Sequence, residues 1–224
     1  MDKLKNYQEL KDFALSLDID LFGVADISEV KKNFHLSEKL LKKFDNAVCI
    51  GVRISGEILE EIIDRPTRLY FYHYRMVNML LDQAALKISR HIENKGFAAV
   101  PIPSTQVLDW EKQSAHLSHR RLGYLAGLGW IGRNNLLVNK KFGSQFRLVT
   151  VLTDMPLKID EPSKESCGSC RVCVVKCPAG AIKEDSSGFE GKKCYEKLRE
   201  FQKQRQIDQY VCGVCVNVCG RKEK

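Results

Sequence analysis

The chain predicts an α+β fold in two parts: an N-terminal, sandwich-like α/β domain over residues 1–157 and a small cysteine-built domain over residues 158–224. Three observations carry this expectation. Helix-period and strand-like segments alternate as far as Leu157. A polar stretch over 158–166, with Pro162 inside it, then interrupts them. Beyond it apolar runs are scarce, and eight of the nine cysteines crowd between Cys167 and Cys219, leaving Cys49 alone in the first part. So short a tail cannot build a sufficient core of its own and needs a metal to fold.

Within the first part, apolar spacing predicts a helix over 7–15 and a strand over 19–25 with Gly23 inside it. A charged helix over 29–44 and a buried strand over 47–52 follow. The longest helical pattern covers 67–94 and stops at Lys95-Gly96, as a helix C-terminus should. A strand over 97–102 is halted by Pro101 and Pro103, and a polar helix is expected over 112–126. Residues 136–138 and 146–152 are expected to pair as a hairpin across 139–144.

The 224 residues carry a formal net charge of +8, with 44% hydrophobic and 29% charged residues, a balance that suits a globular protein with a real core. No run of about 18 apolar residues occurs, so no membrane span is expected. The first residues lead into charged helical sequence and not into a signal core. The expected location is the cytoplasm, where clustered thiols serve as metal ligands and not as disulfides. The positive charge divides evenly between the two parts, which favours a solvated surface over a nucleic-acid footprint.

The cysteines form two imperfect copies of one motif. The first is Cys167-x2-Cys170-x2-Cys173-x3-Cys177-Pro178. At this spacing a short loop wraps three corners of a [4Fe–4S] cubane, while the fourth cysteine serves a second cluster. Pro178 suits the first position of a helix begun at Cys177. The second copy, Cys212-x2-Cys215-x3-Cys219, has Gln209 where a cysteine is wanted, and Cys194 is the distal cysteine available to replace it. Cluster A then takes Cys167, Cys170, Cys173 and Cys219; cluster B takes Cys177, Cys194, Cys212 and Cys215. The result is a ferredoxin-like domain with two [4Fe–4S] clusters. Two four-thiolate zinc sites are the rival reading, disfavoured because zinc modules usually pair C-x2-C knuckles. Cys49, in an apolar strand, reads as a small buried hydrophobe.

Gly127-Leu128-Gly129-Trp130-Ile131-Gly132 fits G-x-G-x-x-G, but a helix precedes it and a strand follows, the reverse of a dinucleotide site. Extended to Ala126, Arg133 and Asn134, it resembles the epoxyqueuosine reductase family. So do Phe142-Gly143-Ser144, Leu152-Thr153-Asp154-Met155-Pro156-Leu157 and the split cysteine pattern. The resemblance covers residues 98–220 well and the earlier part more loosely. It implies a cobalamin-dependent reductase related in architecture to reductive dehalogenases. Its nitroreductase-related first domain would hold the corrinoid, and its clusters would reduce the cobalt. On that footing Gly127, Gly129, Trp130, Gly132, Arg133 and Asn134 are candidate corrinoid contacts, the glycines admitting a flat macrocycle close to the backbone. The alternative is a turn that merely packs against the cluster domain.

Two features depart from the family. Its proton-donating aspartate, upstream of the turn, falls by spacing at Gln113, with Asp109 and Glu111 the nearby acids. The full-length reductases also continue into C-terminal helical repeats that help bind tRNA, whereas this sequence stops at Lys224. Both departures argue against epoxyqueuosine in tRNA as the substrate. The expected partners are a redox donor protein of the ferredoxin or flavodoxin type and a small-molecule substrate, with no tRNA and no membrane. His119 and Asp109 remain as candidate catalytic groups, with His116 behind them. Tyr70, Tyr72, His73 and Tyr74 read as a packed aromatic cluster. The expected function is an iron–sulfur oxidoreductase that passes low-potential electrons to a corrinoid and an unidentified substrate. Its rival is an electron-transfer module whose first domain docks a partner and does no chemistry.

Overall fold

The computed structural model describes residues 2–204 and 207–220. They form a mixed α/β chain of two compact units, one from residues 1–52, 78–128 and 147–163, the other from 53–77, 129–146 and 164–224. Among the described residues no helix is long and apolar enough to cross a membrane.

The first unit begins with α1 (Lys3–Leu15), capped by the Asp2 carboxylate, which accepts from the Leu4 and Lys5 amides at 3.0 and 3.1 Å. These are donors that a helix start otherwise leaves unsatisfied. β1 (Leu21–Asp26) runs antiparallel to β2 (Asn46–Arg53), with Val24 opposite Val48. β3 (Ala99–Ile102) and β6 (Phe146–Thr153), antiparallel to each other, complete a sheet in the order β1-β2-β6-β3. Pro101 therefore lies inside a strand it was expected to end; β3 is an edge, where a missing amide is tolerated. From α4 (Arg68–Asn94), Leu81, Ala84, Ala85, Ile88 and Ile92 follow one helical face and are fully buried. Each of the larger ones contributes roughly 2 kcal/mol by burial.

Two expected helices shrink. The one over 29–44 is reduced to a 3-10 turn, Lys31–Asn33, and a single turn, α2 (Glu38–Leu41). Over 31–44 Phe44 alone is buried, so a longer helix would have no apolar stripe to pack. The helix expected over 112–126 starts only at His119, as α5 (His119–Leu125). Upstream, Asp109 closes a turn by accepting from the Glu111 and Lys112 amides, and Ser118 caps α5 through the Arg121 amide.

In the second unit, Ile54, Leu59 of α3 (Gly56–Glu60), Ile62, Tyr70, Phe71, Ile207, Val211 and Val214 form an apolar core. The cysteine-rich segment thus gains its core from residues 53–77, far upstream. β4 (Trp130–Ile131) pairs antiparallel with β5 (Leu137–Val138), Trp130 opposite Val138. This corrects the expected hairpin of 136–138 with 146–152. A side chain at Gly129 would stand 2.0 Å from the Val138 carbonyl oxygen, so its absence lets β4 and β5 close on each other.

Two short helices, α6 (Val172–Lys176) and α8 (Val214–Val218), pack together, and α7 (Gly191–Lys203) lies between them in sequence. No helix begins at Cys177-Pro178: Cys177 ends α6 in an extended conformation. A residue before proline disfavours the helical region, which explains the stop.

Candidate redox site

The eight clustered cysteines all lie in the second unit and are free thiols. α6 carries Cys173 and ends at Cys177, while α8 carries Cys215 and ends at Cys219, so the motif copies have the same local build. α7 carries Cys194. The thiols fall into two neighbourhoods. Burial, then the nearby Cys219, Cys167 and Cys170 sulfurs, push the Cys173 thiol up to about 11. Burial pushes Cys212 up to about 12, with Cys194 and Cys177 adding to it. Cys215 is driven far above the ordinary thiol range, by burial and then by Cys212, Cys194 and Cys177. These protons must leave when a metal binds. Among the described residues no three histidine, cysteine or acidic side chains gather closely enough for a single metal ion. A cubane spreads its four thiolates more widely than one ion does.

The segment containing β4 and β5 is tied to the first neighbourhood. Trp130 Nε1 donates to Cys167 Sγ at 3.4 Å. Arg133 donates from its guanidinium to the Gly168 carbonyl at 2.8 Å and to the Glu184 carbonyl. Asn134, buried, donates from Nδ2 to Ser144 Oγ at 3.1 Å, and Ser144 lies beside Cys219, opposing the upward push of burial on that thiol. A side chain at Gly132 would stand 2.5 Å from Val138 Cγ2, and one at Gly127, in the first unit, 2.7 Å from the Glu161 carbonyl oxygen. All six candidate corrinoid contacts are therefore engaged by the chain itself. Ser144 is legible in the sequence only as part of the Phe142-Gly143-Ser144 family mark; its place beside Cys219 has no sequence signal.

His119, in the first unit, has both ring nitrogens occupied. Nε2 lies 2.9 Å from the Pro103 carbonyl oxygen and Nδ1 2.8 Å from Thr150 Oγ1. A carbonyl only accepts, so Nε2 carries the proton and the threonine hydroxyl donates to Nδ1. Burial above all, opposed by the Pro103 bond, holds this imidazole down at about 4. It is a neutral, half-buried group that anchors Pro103. Asp109 serves its own turn, and His116 Nδ1 meets the His35 carbonyl oxygen at 3.0 Å. His73 accepts from the Ser55 amide at 2.9 Å, Tyr70 is buried and Tyr72 is exposed, so the aromatic cluster is only partly a core.

The His119 shift has a sign. The unfolded chain takes up this proton near pH 6.5 and the folded one only near 4, so stability falls as pH drops through that window. At pH 5 the expected cost is about 2 kcal/mol. Urea unfolding of wild type and His119→Gln at pH 7 and 5 checks this: the variant's stability should depend less on pH by about that amount, and equal dependence would contradict the assignment.

No protein-family model matches the chain. The fold is shared with reductive dehalogenases and epoxyqueuosine reductases. A reductive dehalogenase described as suggesting a mechanism for B12-dependent dehalogenation superposes with a TM-score of 0.77 at 21% identity, over 99% of this chain and 33% of that one. An epoxyqueuosine reductase bound to an epoxyqueuosine-modified tRNA-Tyr stem loop gives 0.64 at 20% identity, over 95% of this chain and 64% of that one. In sequence, the epoxyqueuosine reductase of Cyclobacterium marinum is 28% identical over 244 aligned positions, covering 96% of this chain and 78% of that enzyme. Matches to further curated epoxyqueuosine reductases span less than half of those enzymes' length. The chain is epoxyqueuosine reductase-like and covers only part of such enzymes.

These likenesses correct one expectation. The chain's length and the displaced donor acid set tRNA aside as a partner. Yet the fold shared over 95% of this chain is that of an enzyme solved with a tRNA stem loop.

Proposed function

We propose that the protein is an iron–sulfur reductase of the epoxyqueuosine reductase kind, carrying single electrons through two [4Fe–4S] clusters toward a substrate borne on tRNA. The observation that carries this reading is the sorting of eight thiols into two neighbourhoods of four within one unit. Cys167, Cys170, Cys173 and Cys219 hold one cluster, and Cys177, Cys194, Cys212 and Cys215 the other. The donor set fits: thiolates alone, four to a cluster. α6 and α8, packed together, bring Cys173 of one set near Cys215 of the other, a short path for an electron.

A corrinoid, when bound, supplies a low-valent cobalt nucleophile or reductant. Its support is the likeness to the B12-dependent dehalogenase. The test is an anaerobic iron, sulfide and cobalt assay after reconstitution with iron, sulfide and hydroxocobalamin, followed by desalting. About eight iron atoms and about one cobalt per chain are expected. Eight iron without cobalt would leave an electron-transfer module. Iron well below eight would remove the two-cluster reading.

A further inference from the structure

Trp130 and Ser144, both outside the cysteine motifs, stand against sulfurs of one set of four. Trp130 presents an indole N–H, which can only donate, 3.4 Å from Cys167 Sγ. Ser144, 2% exposed, lies beside Cys219, where its hydrogen-bonding groups oppose the upward push of burial on that thiol. Its hydroxyl oxygen already accepts from Asn134 Nδ2 at 3.1 Å, so its proton is free to point at the sulfur. Cys167 and Cys219 belong to the same set of four. In the other set, the group that opposes burial at Cys212 is the backbone of Val214, within the motif itself.

We propose that Trp130 and Ser144 are positioning residues that raise the reduction potential of the cluster held by Cys167, Cys170, Cys173 and Cys219, making it the higher of the two. The inference rests on the two-cluster reading above. Reduction adds one electron, drawn from a low-potential one-electron donor, and takes a cluster from the 2+ to the 1+ state, leaving more negative charge on its sulfurs. N–H and O–H donors stabilise that charge and shift the potential upward. Exposure acts in the same direction here: Cys170 is exposed, whereas all four cysteines of the other set are partly buried, and burial disfavours added charge. Lys197 beside Cys212 opposes this, but it is paired with Glu200 at 2.6 Å. The segment that resembles a glycine-rich cofactor loop thus makes two clusters of similar local build unequal.

The test is an anaerobic dithionite titration of reconstituted holoprotein with redox mediators, followed by EPR, with iron measured in each sample. Wild type should reduce in two separate one-electron steps. Trp130→Phe keeps the ring but deletes the N–H. It should lower the higher step by about tenfold in its equilibrium constant, 59 mV for one electron, and leave the lower step in place. Ser144→Ala, which keeps the amide, should shift the same step in the same direction. Iron-replete variants that titrate like wild type, or that move both steps equally, would overturn the proposal. If Trp130→Phe does not hold its iron, Ser144→Ala decides by the same criterion. A wild type that holds no cluster pair removes the underlying reading and this inference with it.

Discussion

Replacing Cys194 by alanine is expected to halve the iron of the reconstituted protein, from about eight atoms per chain to about four, and to leave one cluster spectroscopically intact. Of the eight clustered cysteines, Cys194 alone lies outside the two motif copies; it is carried by α7. Its thiol lies near Cys177, and Cys212 lies near both. No spare ligand is at hand. The position at which the second copy lacks a cysteine is Gln209, a neutral amide. Cys49 belongs to the other unit, fully buried on β2, its sulfur 3.9 Å from Thr150 Oγ1. Burial pushes that thiol up to about 12, so it stays protonated. Cys49→Ala is therefore the matched control and should keep all its iron. A Cys194→Ala protein with eight irons and unchanged spectra would remove Cys194 from the ligand set.

The spacing of cysteines is readable because metal ligation constrains sequence locally: a loop that wraps a cube needs its ligands at fixed intervals. Elements with strong internal periodicity are readable for a similar reason, and α4 and β2 fall within a residue or so of their expected bounds. What fails is what long-range packing decides. The partner of β5 is β4, a choice set by the close approach of Gly129 to Val138. Residues 53–77 supply the core beneath the second motif copy through Ile62 and Tyr70, a contact that no local pattern announces. His119 stands out in the sequence for its chemistry, yet Pro103 and Thr150, brought to it by the fold, leave it neither a free proton nor a free lone pair. The glycine-rich turn stands out too, but its contacts within the chain do not. Its Trp130 and Arg133 address Cys167 and Gly168 of the first cysteine loop.

Gly143→Ala is expected to cost the protein the cluster of which Cys219 is a ligand, with iron again falling to about four per chain. Gly143 has φ +57°, in the left-handed region, and a Cβ there would stand 2.3 Å from the Cys219 carbonyl oxygen, 2.6 Å from its carbon and 2.7 Å from Gly220 Cα. Every one of these is a backbone atom, so no rotamer change relieves the clash. The chain must instead move Cys219, disturbing its contact with Ser144 one residue further on. The conformational strain alone amounts to about 1–2 kcal/mol, and displacement of a ligand comes on top. Gly180→Ala separates the two effects. Gly180 has φ +59°, nearly the same conformation, but a Cβ there would meet nothing within 4 Å. It should lose the strain energy in a urea titration and keep eight irons. Should Gly143→Ala also keep its iron and lose no more stability than Gly180→Ala, the close approach of residue 143 to Cys219 is not what holds that ligand in place.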